Sequence, residues 1–205
     1  MAADRSQVSD GLYMTKEQYF ALDEATDGQY EFYNGYVIML TPPSSAYDDG
    51  VFIDMSGGSI AHSAICARLA FLIESGLPDD GPCLVHSSDV KVEASSQRNY
   101  LHPDVSVACS EETGQLLRNP VVVIEVLSPA TEKRDRTWKL DAYKELPSMQ
   151  EYVLVGSTSK EITVHRRANG WRPYHYREGD LVELESIGVS FPFEGVYRRI
   201  RITLA

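Results

Sequence analysis

The sequence has few cysteines, and none of them forms a pair with the spacing of a metal-binding or redox motif. Cys66, Cys83 and Cys109 are the three cysteines among 205 residues. Their odd number and wide separation argue against a zinc site or a disulfide framework. We therefore expect reduced, mostly buried thiols.

Long apolar runs are also missing. No segment approaches the roughly 20 apolar residues that a membrane-spanning helix needs, and the first eleven residues, MAADRSQVSDG, lack the apolar stretch of a secretion signal. Hydrophobic residues make up 43% and charged residues 24% of the chain, as in ordinary soluble domains. The expectation is a cytoplasmic protein without a membrane partner, with a flexible tail over 1–12 and a single domain over 13–205.

Positive charge is scarce, since the formal net charge is −11. This balance argues against a general polyanion binder. Basic side chains outnumber acidic ones only over 131–205, with thirteen against eleven. We expect any nucleic acid to approach this part of the chain. The residues of the predicted basic patch are Lys133, Arg134, Arg136, Lys139, Arg166, Arg167 and Arg172.

The N-terminal half begins with a helix and a hairpin. Thr15 and Gln18 have the spacing of a capping box at a helix start. Asn34-Gly35, between two strand-like segments, predicts a two-residue turn. The stretch 41–58 is rich in Pro, Ser, Gly and Asp and predicts a mobile loop. Apolar residues at helical spacing predict an amphipathic helix over 59–75.

The rest of the chain alternates between strands and one long helix. Strands are predicted over 84–93, 103–109, 121–127 and 151–155, and a helix from 130 or 131 to 145. Two or three further strands lie within 160–178, and Phe191-Pro192-Phe193 begins a short closing segment. This order of elements predicts a mixed α/β sheet.

One carboxylate interrupts the most apolar segment of the chain. Glu125 lies in VVVIEVL, residues 121–127, a run typical of a strand buried on both faces. A buried carboxylate is costly unless it is paired, hydrogen-bonded or bound to a metal ion. Glu125 is therefore a candidate functional residue. The alternative is a carboxylate at the strand end that meets water or an arginine.

A second carboxylate precedes a neighbouring predicted strand. Asp104 follows His102-Pro103 and opens the segment Val105-Ser106-Val107-Ala108. Alone it could be a turn former. Two carboxylates on successive strands can converge at one edge of a sheet and supply the oxygen ligands that Mg²⁺ prefers.

These residues belong to an ordered set of motifs that covers roughly 13–178. The set consists of Tyr30-Glu31-Phe32-Tyr33-Asn34-Gly35, His62, Pro103-Asp104-Val105-Ser106-Val107, Glu125-Val126-Leu127-Ser128-Pro129-Ala130-Thr131, Asp135, Lys139, Tyr143 and Glu151-Tyr152. It resembles the Uma-two family of bacterial proteins, which has the PD-(D/E)xK restriction-endonuclease-like fold. The resemblance implies an αβββαβ core with an added N-terminal helix and hairpin and added C-terminal strands.

The resemblance also implies a Mg²⁺-dependent (or Mn²⁺-dependent) DNA endonuclease. Asp104 and Glu125 would bind the metal, Glu31 would add an outer carboxylate, and a lysine would face the scissile phosphate. The chain departs from the simple motif because Leu127 stands where the lysine is expected. We predict that Lys139 replaces it, with Lys91 as the competing candidate.

Three further residues are secondary candidates. Asp135 and Lys139 are four residues apart and would share a helix face, with Tyr143 one turn further. An exposed ion pair with Asp135 is the alternative interpretation of Lys139. His62, at the start of the second helix, matches a histidine of the family and could equally be a cap or packing residue.

Two other classes of function compete with a nuclease. A non-catalytic descendant of the fold could bind nucleic acid or protein, which the acidic composition and the displaced lysine favour. A hydrolase with a Ser or Cys nucleophile is not supported, since the sequence has no G-x-S-x-G motif and no convincing Cys/His arrangement. Because nucleases that cut both DNA strands commonly act as two-fold dimers, we expect a homodimer.

Overall fold

The structure is a computed structural model that describes residues 12–41, 59–94 and 98–202. The strands are β1 (Leu12–Tyr13), β2 (Gln29–Tyr33), β3 (Tyr36–Thr41), β4 (Leu84–Ser87), β5 (Lys91–Ala94), β6 (Asn99–Leu101), β7 (Val105–Ala108), β8 (Leu116–Leu117), β9 (Pro120–Leu127), β10 (Glu151–Gly156), β11 (Ile162–Arg166), β12 (Pro173–Tyr176), β13 (Leu181–Leu184) and β14 (Val189–Pro192). The helices are α1 (Lys16–Ala25), α2 (Ile60–Glu74), α3 and α4 (Phe193–Tyr197). Helix α3 runs through an α-helical turn (Glu132–Arg134), a π-helical segment (Asp135–Lys139) and a second α-helical part (Leu140–Lys144).

The central sheet has the strand order β12-β11-β10-β9-β7-β4. Strands β9 and β10 are parallel and are connected through α3, whereas the other neighbours in this sheet are antiparallel. Along the chain, α2, β4, β7, β9, α3 and β10 reproduce the order expected of the αβββαβ core. The predicted mixed α/β fold is therefore confirmed.

A second sheet, with the order β1-β3-β2-β6-β5-β8, carries the N-terminal hairpin. Asn34 and Gly35 make the predicted turn between β2 and β3, with φ angles of 49° and 93°. The prediction of one strand over 84–93 is wrong, because β4 and β5 belong to different sheets. A turn closed by the Val90 N–H and the Ser87 carbonyl, 3.2 Å apart, separates them.

Each face of the central sheet is covered by one of the long helices. Ile65, Leu69 and Ile73 of α2 are buried on one face. On the other face, Trp138 and Tyr143 of α3 are buried against the same sheet. The central strands are thus enclosed on both sides, as their continuous apolar character requires.

The ends of the domain agree with most of the sequence predictions. Thr15 and Gln18 form the predicted capping box, and a β13–β14 hairpin and α4 follow the predicted C-terminal strands. Leu12 of β1 pairs with Val37 of β3. Residues 1–11, and 42–58 of the predicted loop, lie outside the described residues.

The expectation of three reduced cysteines is wrong. Cys83 and Cys109 form a disulfide, while Cys66 has a free thiol. Leu84 pairs with Ala108 in the antiparallel β4–β7 ladder, so the next residues outward, 83 and 109, are brought opposite each other. The pairing depends on strand register, which the cysteine spacing does not reveal.

Among the described residues, no helix combines the length and apolar character that would let it span a bilayer.

Candidate active site

The alternation of side chains along β9 directs Glu125 toward helix α3. Val122 and Ile124 pack on the α2 face of the central sheet, whereas Val123 and Leu127 pack on the α3 face. Glu125 lies between the latter two and shares their face. Its side chain is 3% exposed, so the alternative of a water-facing strand end is wrong.

Lys139 meets Glu125 from helix α3. The lysine Nζ lies 3.0 Å from Glu125 Oε1, 2.8 Å from Glu31 Oε1 and 3.5 Å from Asp135 Oδ1. Its side chain is only 5% exposed, so the alternative of a surface pair with Asp135 is wrong. Leu127, at the position of the usual lysine, is instead part of the core. The structure therefore brings the predicted replacement lysine to Glu125.

The π-helical segment of α3 orients this lysine. Asp135–Lys139 has π-helical geometry, a rare conformation that is frequent at functional sites. The segment is held by its neighbours: the Tyr152 hydroxyl donates to the Asp135 carbonyl at 2.8 Å, and the Trp138 ring stacks on Tyr33 with 4.1 Å between centroids. The lysine is thus presented from a well-packed element.

Asp104 lies beside Glu125 at the mouth of β7. Its Oδ2 accepts a hydrogen bond of 2.7 Å from the backbone N–H of Val126, the residue after Glu125. The same oxygen is 3.4 Å from His62 Nε2. The adjoining strands therefore bring together the two carboxylates that the sequence predicted as a pair.

Glu31 reaches the site from the second sheet. Its side chain is fully buried, and its Oε1 accepts the backbone N–H of His102 at 3.1 Å in addition to the lysine contact. Its other oxygen, Oε2, has no hydrogen-bond partner among the described residues. Glu31 thus contacts Lys139 together with Glu125 and keeps one carboxylate oxygen without a hydrogen bond.

The buried charges of the site are unbalanced. The carboxylates of Glu31, Glu125 and Asp135 contact the ammonium of Lys139, and Asp104 acts on Glu125 through its charge. Burial, reinforced by the other carboxylates and opposed by Lys139, raises the pKa of Glu125 well above its usual value. Burial likewise raises the pKa of Asp135. Burial disfavours the charge on Lys139, but the surrounding carboxylates outweigh it and raise the pKa of this amine.

A cavity of about 230 Å³ opens onto these groups. It is lined by Gln29, Met39, Leu40, Thr41, His62, Ser88, His102, Asp104, Glu125, Ser128, Thr131, Arg134, Asp135 and Lys139. Glu31 is not among the lining residues. The carboxylates in the wall are oxygen donors of the kind that Mg²⁺ and Mn²⁺ take.

Sequence reasoning missed His102 as a site residue, and assigned Arg134 only to the basic patch. Arg134 ends the first α-helical turn of α3, the helix that carries Lys139, and its Nε is buried without a hydrogen-bond partner among the described residues. His102 precedes Pro103-Asp104, and its Nδ1 is 2.9 Å from the Ser88 carbonyl. Their closeness to Asp104 and Lys139 in sequence was the available signal.

Lys91, the competing lysine, lies elsewhere. Its ammonium is 2.5 Å from Asp23 Oδ2 and 4.9 Å from the centroid of the Tyr19 ring. It lines a different cavity of about 790 Å³. Tyr143, by contrast, is in the site, since its hydroxyl donates to Glu125 Oε1 at 3.5 Å.

The structure also brings together a Cys/His arrangement that the sequence did not reveal. Cys66 Sγ is 3.6 Å from His62 Nδ1, and His62 contacts Asp104 through its other ring nitrogen. Reactive cysteines have a lowered thiol pKa. Burial instead raises the pKa of Cys66 far above its usual value, which argues against a nucleophilic thiol.

The basic patch predicted in the C-terminal part does not form as a set. Arg166 is buried and pairs with Glu151, and Arg136 pairs with Glu132 and Glu161. Arg167 donates to three main-chain carbonyls, those of Lys144, Leu146 and Met149. These guanidinium groups are used within the fold. The cations of the predicted patch that could still contact a phosphate backbone are the exposed Lys133 and Arg172, with Arg134 and Lys139 in the cavity wall.

Comparison with known proteins gives relatives in sequence and in structure. Two proteins of Synechocystis sp. (strain ATCC 27184 / PCC 6803 / Kazusa) are similar, and both are called uncharacterized. Protein slr1290 is 42% identical over 157 residues, which cover 74% of this chain and 82% of the relative. Protein sll1609 is 28% identical over 148 residues, which cover 69% of this chain and 82% of the relative.

A crystal structure from Anabaena variabilis ATCC 29413, described as that of a "putative nuclease belonging to DUF820", has the same fold. It superposes with a TM-score of 0.63 at 19% identity, covering 84% of this chain and 91% of that one. The family model Uma2, described as "Putative restriction endonuclease", matches residues 41–194. Since this match spans most of the chain and includes Asp104, Glu125 and Lys139, the protein belongs to the Uma2 family and has the restriction-endonuclease-like fold.

Proposed function

We propose that this protein is a divalent-metal-dependent endonuclease that hydrolyses DNA phosphodiester bonds in the cavity beside Glu125. The observation that carries the proposal is the contact between Lys139 and Glu125, 3.0 Å apart and buried, next to Asp104 on the adjoining strand. A carboxylate pair and a lysine are the groups that the PD-(D/E)xK pattern requires. Membership of a family described as a restriction endonuclease supports the same activity.

The donor set of the cavity suits Mg²⁺ or Mn²⁺. Asp104 and Glu125 offer carboxylate oxygens in the wall, and the surrounding buried carboxylates outnumber the cations. Such an excess of negative charge is costly unless a proton or a cation compensates it, and a metal ion at Asp104 and Glu125 would do so. Asp104 and Glu125 would hold the ion, and Glu31, with its unsatisfied Oε2, would contribute as an outer carboxylate. Once bound, the metal would activate water and neutralise charge on the phosphate.

Lys139 supplies the fixed cation of the site. Its contacts with Glu31 and Glu125 keep the amine protonated and restrict its position. A preorganised positive charge stabilises a transition state without the reorganisation that a mobile side chain would need. Tyr143 donates a hydrogen bond to Glu125, and Glu31 contacts the ammonium of Lys139. Both therefore help to hold Glu125 and Lys139 in place.

The test is cleavage of supercoiled plasmid by the purified protein with Mg²⁺ or Mn²⁺. We expect nicked and linear products from the wild type. Asp104→Asn and Glu125→Gln should each lower the rate by about a hundredfold or more, by analogy with the loss of one preorganised polar group. Asp141→Asn is the matched control: it makes the same charge change on an exposed carboxylate of α3 and should leave the rate unchanged.

Two outcomes would overturn the proposal. One is a folded wild-type protein that cleaves neither DNA strand with any divalent metal. The other is undiminished cleavage by both Asp104→Asn and Glu125→Gln. Circular dichroism of each variant separates lost chemistry from lost structure.

A non-catalytic nucleic-acid-binding or protein-binding module is the second candidate. The observation that favours it is the internal use of Arg136, Arg166 and Arg167, which leaves few cations for a phosphate backbone on an acidic chain. Contacts to phosphates weaken steeply with salt because they release counterions. DNA binding that is salt-dependent but never followed by cleavage would support this candidate, and absence of DNA binding would favour a protein partner.

We also propose a homodimer, because one carboxylate site per chain can attack one strand of a duplex at a time. Light scattering at micromolar protein concentration tests this. A monomer, with and without DNA, would contradict it. A cytoplasmic location stays a prediction.

A further inference from the structure

Three side chains of different chemistry meet at the edge of the carboxylate cavity. His62 and Cys66 come from α2, and Asp104 comes from the start of β7. One ligand atom from each can be chosen so that all three lie within 4.8 Å of one another. The closest separations are 3.6 Å between Cys66 Sγ and His62 Nδ1, and 3.4 Å between His62 Nε2 and Asp104 Oδ2.

The local structure explains why these groups converge. His62 and Cys66 are four residues apart and therefore lie on the same face of the helix. The Ser59 hydroxyl accepts the His62 N–H at 3.1 Å and fixes the start of α2. Burial of Ile65 and Leu69 against the central sheet holds the same helix close to β7 and β9. All three candidate side chains are partly buried rather than exposed.

The chemistry of this trio differs from that of the neighbouring carboxylates. A thiolate, an imidazole and a carboxylate are the usual ligands of Zn²⁺ and of Co²⁺, which often substitutes for it. Binding of such an ion displaces the proton that Cys66 otherwise keeps. Mg²⁺ takes oxygen ligands and does not favour a thiolate. His62 and Asp104 also line the cavity, so an ion has access from the side on which DNA would bind.

We propose that His62, Cys66 and Asp104 form a second metal site, selective for thiophilic divalent cations of the Zn²⁺ class. Asp104 belongs to both sites. An ion held by Cys66 and His62 engages the carboxylate that Mg²⁺ needs and places a second dication beside the Mg²⁺ position, so the two ions compete. On the proposed nuclease function, Zn²⁺ is therefore an inhibitor that competes with Mg²⁺.

Binding to this site is measured with Co²⁺, independently of any cleavage. The wild-type protein, with its Cys83–Cys109 disulfide intact, should give a thiolate-to-cobalt charge-transfer band at one equivalent, and Zn²⁺ should abolish it. Cys66→Ser should lose the band and bind Co²⁺ at least about tenfold more weakly. Cys83→Ser/Cys109→Ser is the matched control and should keep the band. A wild type without the band, or an equal band from Cys66→Ser, would overturn the proposal.

A second measurement needs no variant. Cys66 is the free thiol of the wild type, and its alkylation should slow in the presence of Zn²⁺ but not of Mg²⁺. Equal alkylation rates with and without Zn²⁺ would overturn the site even if Cys66→Ser failed to fold.

The inhibitory role is tested by the same variant. Cys66→Ser should cleave plasmid with Mg²⁺ at the wild-type rate and resist Zn²⁺. If the wild type binds Co²⁺ through Cys66 but never cleaves DNA, the proposed nuclease function fails and the metal site stands. If Zn²⁺ inhibits both proteins equally, the inhibitory role fails.

Discussion

Glu125 and Glu151 are both carboxylates buried in neighbouring strands of the central sheet, yet their surroundings differ. Glu151 accepts hydrogen bonds from Arg166 Nε at 2.9 Å, from the Glu185 N–H at 3.2 Å and from the N–H and hydroxyl of Ser186. Arg166 Nη2 donates to the Tyr176 hydroxyl and the Glu183 carbonyl, and its Nε also lies 3.3 Å from the exposed Glu185 carboxylate. In this cluster one buried anion meets one guanidinium and a full set of donors.

The Glu125 cluster lacks this balance. Glu31, Glu125 and Asp135 contact a single ammonium, and Glu31 Oε2 and Asp135 Oδ1 have no hydrogen bond among the described residues. A buried pair with complete hydrogen bonding is explained by architecture alone. The comparison teaches that buried charge by itself does not mark a functional site, whereas uncompensated buried charge does.

The largest difference between the clusters should appear when the lysine is removed. Glu31→Gln/Lys139→Met removes one anion with the cation, which limits the destabilisation that Lys139→Met alone would cause. We expect plasmid cleavage to fall by about a hundredfold or more because the fixed cation is lost. Lys144→Met, on the same helix, should cleave normally.

Lys91→Met is the decisive comparison for this prediction. If it lowers cleavage more than the Glu31→Gln/Lys139→Met pair does, the assignment of Lys139 is wrong. The Asp104–Glu125 site would survive that result.

The second prediction compares the two glutamates by the same substitution. Glu151→Gln removes the buried counter-charge of Arg166 and leaves it only the exposed Glu185 carboxylate. The free energy of unfolding should fall by about 3 kcal/mol. Glu125→Gln relieves repulsion among carboxylates and should leave stability unchanged or higher. Urea unfolding measures both. An equal loss of stability in the two variants would mean that the buried charge is compensated equally in the two clusters.

The smallest effect expected is stabilisation by metal. At a Mg²⁺ concentration a hundred times the Kd, the wild type should gain about 2.7 kcal/mol, read as a shift in thermal unfolding. Glu151→Gln should show the same gain on its lower baseline, and Glu125→Gln should show little. If Glu125→Gln keeps the full gain in stability, the metal does not bind at Glu125.

The parts of the site that could be predicted are those with a local signal. An acidic residue within an apolar β-branched run identified Glu125, because its burial followed from the neighbouring residues. Asp104, at the start of the preceding strand, became a candidate because it could converge with Glu125 at one edge of the sheet. Lys139 came from family motifs together with helical spacing. Helix α2 and the Asn34-Gly35 turn were likewise encoded within a few residues of sequence.

The remaining features depend on pairing between distant segments. The Cys83–Cys109 disulfide follows from the β4–β7 register, and the break between β4 and β5 follows from their membership of different sheets. Arg166 looked like a surface cation, but Glu151 lies opposite it in the β10–β11 ladder. Cys66 and His62 gain a third potential metal ligand only because the start of β7 places Asp104 beside His62. None of these has a signature within its own segment.

The π-helical segment of α3 has a consequence for how this chain can vary in length. In a strand, the pleat alone decides which face a lysine two residues after the glutamate occupies. Here the direction of Lys139 depends on the winding of Asp135–Lys139, which accommodates one residue more than an α-helical turn. Deleting Arg136 or Thr137 should convert the segment to a regular α-helical turn and change the direction of Lys139 relative to Asp135. Relatives that have lost that residue would have to carry their cation at another position.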